Sequence, residues 1–138
     1  MPTNYKPESY HTVTPYLVVM DVPGLIEFLQ ETFDAEKREY LTNSEGGVMH
    51  AEVKIGDSII MMGEPSEGSE PIPALLYLYV EDVDQVYNKA MKAGAASMRE
   101  PADQFYGDRT AAVKDAFGNQ WWLASHRENV PPDELQTR

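Results

Sequence analysis

Apolar and polar positions alternate along this chain in two rhythms. The short run Tyr16-Leu17-Val18-Val19-Met20, closed by Asp21, predicts a strand over residues 13–20. Leu25/Ile26, Leu29 and Phe33 then recur at helical spacing behind Asp21 as N-cap and Pro23 as first helical residue. Three extended segments follow at Glu36–Leu41, Val48–Ile55 and Ser58–Met62, and Gly56-Asp57 suits a tight hairpin turn between the last two.

The same succession returns about sixty residues later. Tyr77-Leu78-Tyr79-Val80-Glu81-Asp82 repeats the first strand and cap, with Asp82 lying 82 − 21 = 61 residues beyond Asp21. Ala51-Glu52-Val53-Lys54 returns as Ala111-Ala112-Val113-Lys114, 60 on, and Gly56 as Gly118, 62 on. Landmarks at so constant an offset indicate a duplicated supersecondary unit, and two copies are too few for a solenoid. In the second copy Asp82 caps a helix with Gln85 as capping-box partner, Val83, Val86/Tyr87 and Ala90/Met91 form its apolar stripe, and Gly94 stops it. Its strands fall at Ser97–Glu100, Arg109–Lys114 and Gln120–Ser125, with Asp115–Asn119 as the longer turn.

The predicted architecture is α+β: two tandem βαβββ units over residues 12–64 and 74–126 in one domain, 12–126. Between them lies the linker Gly63–Pro73, with three Pro, two Gly and three Glu, and residues 127–138 read as a surface tail.

Composition narrows the function classes. Eleven Lys+Arg against 23 Asp+Glu give 11 − 23 = −12 over 138 residues, and there is no cysteine. The charge repels nucleic-acid phosphates and anionic membranes, and the missing thiols exclude disulfides, cysteine nucleophiles and zinc–cysteine sites. No apolar run approaches a membrane span, and Met1–Tyr5 lacks the basic and apolar regions of a signal peptide, so a cytosolic protein is expected.

Few residues carry candidate chemistry. In Met49–Lys54, alternation puts His50, Glu52 and Lys54 on one strand face, where His50 beside Glu52 suits general acid–base work or simple hydrogen bonding. Tyr106 and Arg109, in Gln104–Arg109, suit the grip of an acidic or carbonyl-bearing ligand, or Arg109 pairs with Asp108 or another nearby acid. Trp121 and Trp122 must face opposite sides of a strand, and repeat counting groups Trp122 with Tyr16 and Tyr77 as a stacking surface or as core filling. His11 and His126 flank the doubled unit and read as surface residues, or as metal ligands if they converge on Glu52.

Thr14–Val19, Met49-His50-Ala51-Glu52, Gly56-Asp57-Ser58, Tyr79–Asp82, Gln104–Arg109 and Asp115–Trp121 together resemble the glyoxalase / bleomycin resistance / extradiol dioxygenase superfamily, the vicinal oxygen chelate fold, in its small bacterial glyoxalase-like branch. The resemblance implies two curled mixed sheets around a cleft and a homodimer. It also implies, in the metalloenzymes, a divalent ion held from the first and fourth strands of each unit. Counting puts Thr14, Ile60, Leu75 and Trp122 at those places, or with a slip of one residue their neighbours such as Ile59 or Met61, and none ligates such an ion. The expectation is therefore a small-molecule-binding protein with no cofactor, its ligand held by Tyr16, Tyr77, Tyr106, Arg109 and Trp122. The alternative is a lyase, isomerase or dioxygenase-type enzyme using His50 and Glu52 or a relocated metal.

Overall fold

Asp21 and Asp82 open the two long helices in the same way. The side chain of each accepts from the backbone N–H three residues on, of Gly24 at 3.0 Å and of Gln85 at 3.1 Å, which satisfies a donor that a helix start otherwise leaves orphaned. In the computed structural model, which describes residues 3–138, the first unit runs β1 (Tyr16–Val18), α1 (Val22–Phe33), β2 (Glu36–Thr42), β3 (Val48–Ile55) and β4 (Ser58–Gly63). The second runs β5 (Leu75–Tyr79), α2 (Val83–Lys92), β6 (Ala96–Asp103), β7 (Asp108–Lys114) and β8 (Gln120–His126). Met1 and Pro2, part of the start read above as lacking a signal, lie outside the described residues.

Each unit closes into its own four-stranded mixed sheet, in the order β1-β4-β3-β2 and β5-β8-β7-β6. The chain divides into two compact units between Pro73 and Ala74. In both sheets the first strand pairs parallel with the fourth and the other pairings are antiparallel. A parallel pair needs a crossover, and α1 and α2 are part of it.

Register decides which residues each helix covers. Leu17, Met62 and Ala51 form one row of the first sheet and are fully buried, as is Val53, on the face where α1 sets Val22, Leu25 and Leu29. Leu76, Trp121 and Val113 form the matching row of the second sheet, with Trp121 and Val113 fully buried. Each large apolar side chain so buried contributes about 1.5–3 kcal/mol. Alternation sends the neighbouring rows, Tyr16–Met61–Glu52 and Tyr77–Trp122–Ala112, to the opposite faces.

This register corrects the strand count in the first unit. Ile60 pairs with Val53 and is buried at 3% exposure on the helix side, and Thr14 precedes β1. At the matching places of β1 and β4 it is Tyr16 and Met61 that face away from α1, and they correspond, 61 residues earlier, to Tyr77 and Trp122.

Both second strands carry a bulge at the same point of the repeat. In β2, Lys37 pairs with Val53 and Tyr40 with Ala51, so Arg38 and Glu39 together oppose Glu52; in β6, Ser97 pairs with Val113 and Arg99 with Ala112. The tail is not featureless: a short helix α3 (Pro132–Leu135) forms there, and Arg138 bonds Glu128, Glu134 and the Phe105 carbonyl. Ile72, near the end of the linker, bridges to Val18. None of the helices among the described residues is long and apolar enough to cross a membrane.

Candidate functional site

In the first sheet the open row and its neighbours bring ionisable groups together. His50 and Glu52, two residues apart on β3, share a face, and His50 Nε2 lies 2.7 Å from Glu52 Oε2. The Tyr16 ring lies against the imidazole, centroids 5.8 Å apart and tilted by 38°. Glu52 is only 2% exposed, because the segment before β1 passes over it and the Tyr10 hydroxyl donates to its Oε1. Burial pushes the Glu52 carboxyl up, but the bonds from Tyr10 and His50 outweigh it and hold it below the usual carboxylate range. The carboxylate in turn holds the Tyr10 phenol proton, raising that group to about 12.

Glu39 joins this group through the β2 bulge. Without the extra residue, Glu39 would point to the α1 side; with it, Glu39 Oε2 lies 3.9 Å from His50 Nε2. A cavity of about 400 Å³ opens onto Glu39 and Glu52, walled also by Tyr10, His11 and Met61.

The matching row of the second sheet carries no ionisable pair. Ala112 stands where the first has Glu52, and the row carries Tyr77 beside Trp122. The Arg99 guanidinium lies 5.1 Å from the Trp122 ring centroid, within cation–π range, and Trp122 Nε1 donates to Gln120 Oε1 at 3.1 Å. Tyr79 meets Tyr77 edge-on at 5.6 Å. At one end, Tyr77 and His126 meet Asp108, whose Oδ1 lies 2.7 Å from His126 Nδ1 and whose Oδ2 lies 3.5 Å from the Tyr77 hydroxyl, and Tyr106 bonds Tyr77. Burial first, and the Tyr106 hydroxyl second, push the Tyr77 phenol well up.

The residues singled out from sequence therefore fall into two groups. Tyr16, His50 and Glu52 come together in the first unit, and Tyr77, Tyr106 and Trp122 in the second. Arg109 is turned to other acids: its Nε and Nη2 donate to the two Asp84 oxygens at 2.7 and 2.8 Å, and Nη1 to Asp103 at 3.2 Å. This fork, Asp84 first, pushes the guanidinium further up and lowers the Asp84 carboxyl. His11 Nε2 lies on the Asp57 carbonyl at 2.8 Å, and His126 on Asp108 and Asn129, so neither reaches Glu52. Sequence reasoning missed Tyr10, Glu39 and Arg99. Tyr10 stands outside the repeat, and the other two are reached only through bulges that strict alternation does not show.

The model of the Glyoxalase/Bleomycin resistance protein/Dioxygenase superfamily matches residues 10–123, most of the chain and both units. The chain belongs to this superfamily. It is 31% identical over 137 residues to an uncharacterized protein of Mycobacterium bovis, covering 90% of this chain and 89% of that one. The same identity holds for an uncharacterized protein of Mycobacterium tuberculosis H37Rv, over 90% of this chain and 79% of the relative. Among solved structures it is similar in fold to TioX from Micromonospora sp. ML1, with a TM-score of 0.70 and 22% identity over 82% of this chain and 96% of that one. A superfamily enzyme from Burkholderia phytofirmans PsJN gives 0.66 and 21%, with the same coverage.

The residues at the superfamily's metal positions do not fit a divalent ion here. At and beside the counted places of the first and fourth strands stand Thr14, Tyr16, Met61, Leu75, Tyr77 and Trp122, none of which offers an imidazole or a carboxylate.

Proposed function

We propose that this chain is a small-molecule-binding member of the superfamily, holding an apolar or aromatic ligand against an open sheet face without a metal on the first and fourth strands. One observation carries the reading. Each sheet is covered by its helix on one side, yet the other side presents large aromatic groups to solvent: Tyr16 is 49% exposed, Tyr77 44% and Tyr79 70%. Large aromatics left exposed on a sheet face mark a binding surface. The Tyr77–Trp122 row, with Arg99 on the indole, suits a flat ligand with an electron-rich or anionic edge.

The test is a thermal-shift screen of metabolites and antibiotics, followed by fluorescence titration in Trp122→Phe and Tyr77→Ala. A ligand that binds the native state raises its melting temperature, and its affinity falls in both variants. No shift across the panel, or affinity unchanged in both variants, rejects the reading. A homodimer in the cytosol accords with the family resemblance, and gel filtration at twice the chain's mass is the expected result.

The second reading is catalytic and rests on the His50–Glu52 pair, whose buried carboxylate holds the imidazole and itself borders an open cavity. It predicts turnover of a substrate such as a glutathione hemithioacetal that His50→Ala abolishes while melting stays normal. Turnover unchanged in that variant removes His50 from the mechanism.

A further inference from the structure

We propose that Glu39, His50 and Glu52 form a site for a borderline divalent cation of the Zn²⁺ class, on β2 and β3 and apart from the superfamily's own metal positions. The donor set is an imidazole nitrogen and two carboxylate oxygens, all within 4.8 Å of one another. Zinc bonds to such atoms run about 2.0–2.2 Å, so two donors on one tetrahedral ion stand roughly 3.3–3.6 Å apart. The distances from His50 Nε2, 2.7 Å to Glu52 Oε2 and 3.9 Å to Glu39 Oε2, bracket that range. Within the set, two carboxylates meet one imidazole, so its net charge is negative in either state of His50.

Two features make this a built site rather than a chance meeting of surface acids. Tyr10 holds Glu52 Oε1 and so orients Oε2 towards His50, as partners behind a metal ligand do. The β2 bulge brings Glu39 across from the helix side, supplying the third donor. The cavity of about 400 Å³ gives an entry path and leaves room for water or a ligand in the remaining coordination positions. Three protein donors with an open position is the pattern of a zinc site that acts on something, whereas four closed donors only hold a fold together.

The experiment titrates the untagged full-length chain, stripped with chelator and exchanged into chelator-free buffer, with ZnCl₂ and with MnCl₂ by calorimetry. The expected result is one Zn²⁺ per chain and a higher melting temperature, with affinity weakened roughly tenfold or more in both Glu39→Gln and His50→Gln. Glu39 is exposed and His50 half-buried, so both variants are expected to fold, with circular dichroism as the check; His126→Asn serves as the control and keeps full affinity. No saturable Zn²⁺ binding overturns the proposal. Equal affinity in the wild type and both variants overturns it too, because the ion then sits elsewhere. Neither outcome bears on ligand binding at Trp122, which is read by its own fluorescence.

Discussion

The indole N–H of Trp121 donates to Asp115 Oδ2 at 2.8 Å, from a side chain with no exposed surface. Asp115 also accepts from the backbone N–H of Phe117 and Asn119, at 2.8 and 2.9 Å, and from the Asn119 amide at 3.2 Å. One carboxylate thus fastens the β7–β8 turn to the core of the second sheet. Asn119 Oδ1 in turn accepts from the Ala74 N–H at 3.0 Å, just before β5. Asp115→Ala leaves several buried donors without partners, each costing about 1–3 kcal/mol. The expected loss is roughly 3–5 kcal/mol, with Asp115→Asn losing less, as measured by urea denaturation.

Gly107 makes a second, independent prediction. Its φ is +102°, and a Cβ there would lie 2.3 Å from the Glu128 backbone oxygen. Its own carbonyl accepts from the N–H groups of Arg127 and Glu128, at 2.8 and 3.1 Å, which ties the tail to the turn before β7. Gly107→Ala combines left-handed strain with a backbone clash, for an expected loss of about 2–4 kcal/mol in denaturant. Faster proteolysis of the tail should accompany it.

The Tyr10–Glu52 bond ties the segment before β1 to a buried anion. Tyr10→Phe removes a donor to a charged acceptor, at an expected cost of about 1.5–3 kcal/mol. The folded Glu52 carboxyl lies below its ordinary value, so its contribution is present above that value and is lost as pH falls through the folded one. Acid unfolding of Tyr10→Phe should therefore begin at higher pH than in the wild type, as followed by circular dichroism.

His126 gives the opposite sign. The Asn129 side chain first, and Asp108 second, raise its imidazole above the ordinary 6.5. A raised folded value stabilises fully below the unfolded one and fades as pH climbs through the folded one. The melting-temperature difference between wild type and His126→Asn should thus be largest in mild acid and shrink above neutrality. A flat difference from pH 5 to 9 would reject the role.

Much of the fold was legible because the repeat is written in local signals. Asp21 and Asp82 are caps by residue type, the helix stripes follow the 3.6 period, and Trp121 and Trp122 split between faces by alternation alone. The first-unit count failed at Ile60 because an offset carried over from a family says nothing of the pleat of this particular strand. His50 beside Glu52 followed from period two. The burial of Glu52 did not, since it depends on Tyr10, 42 residues away in sequence on a segment without periodic pattern. Arg109 was legible as a fork for acids, but Asp84 lies on α2, and only the packing of that helix against β7 names it as the partner.

The paired bulges have a consequence for how this chain can change. Glu39 and Arg99 stand 60 residues apart, opposite Glu52 and Ala112 at equivalent points of the two sheets. The kink belongs to the scaffold, whereas the side chain mounted on it is free to differ. One copy mounts an anion and the other a cation without disturbing either sheet. Duplication has thus left the molecule two interchangeable sockets, and exchanging Glu39 for Arg, or Arg99 for Glu, should invert the local preference for charge while leaving the frame that holds it intact.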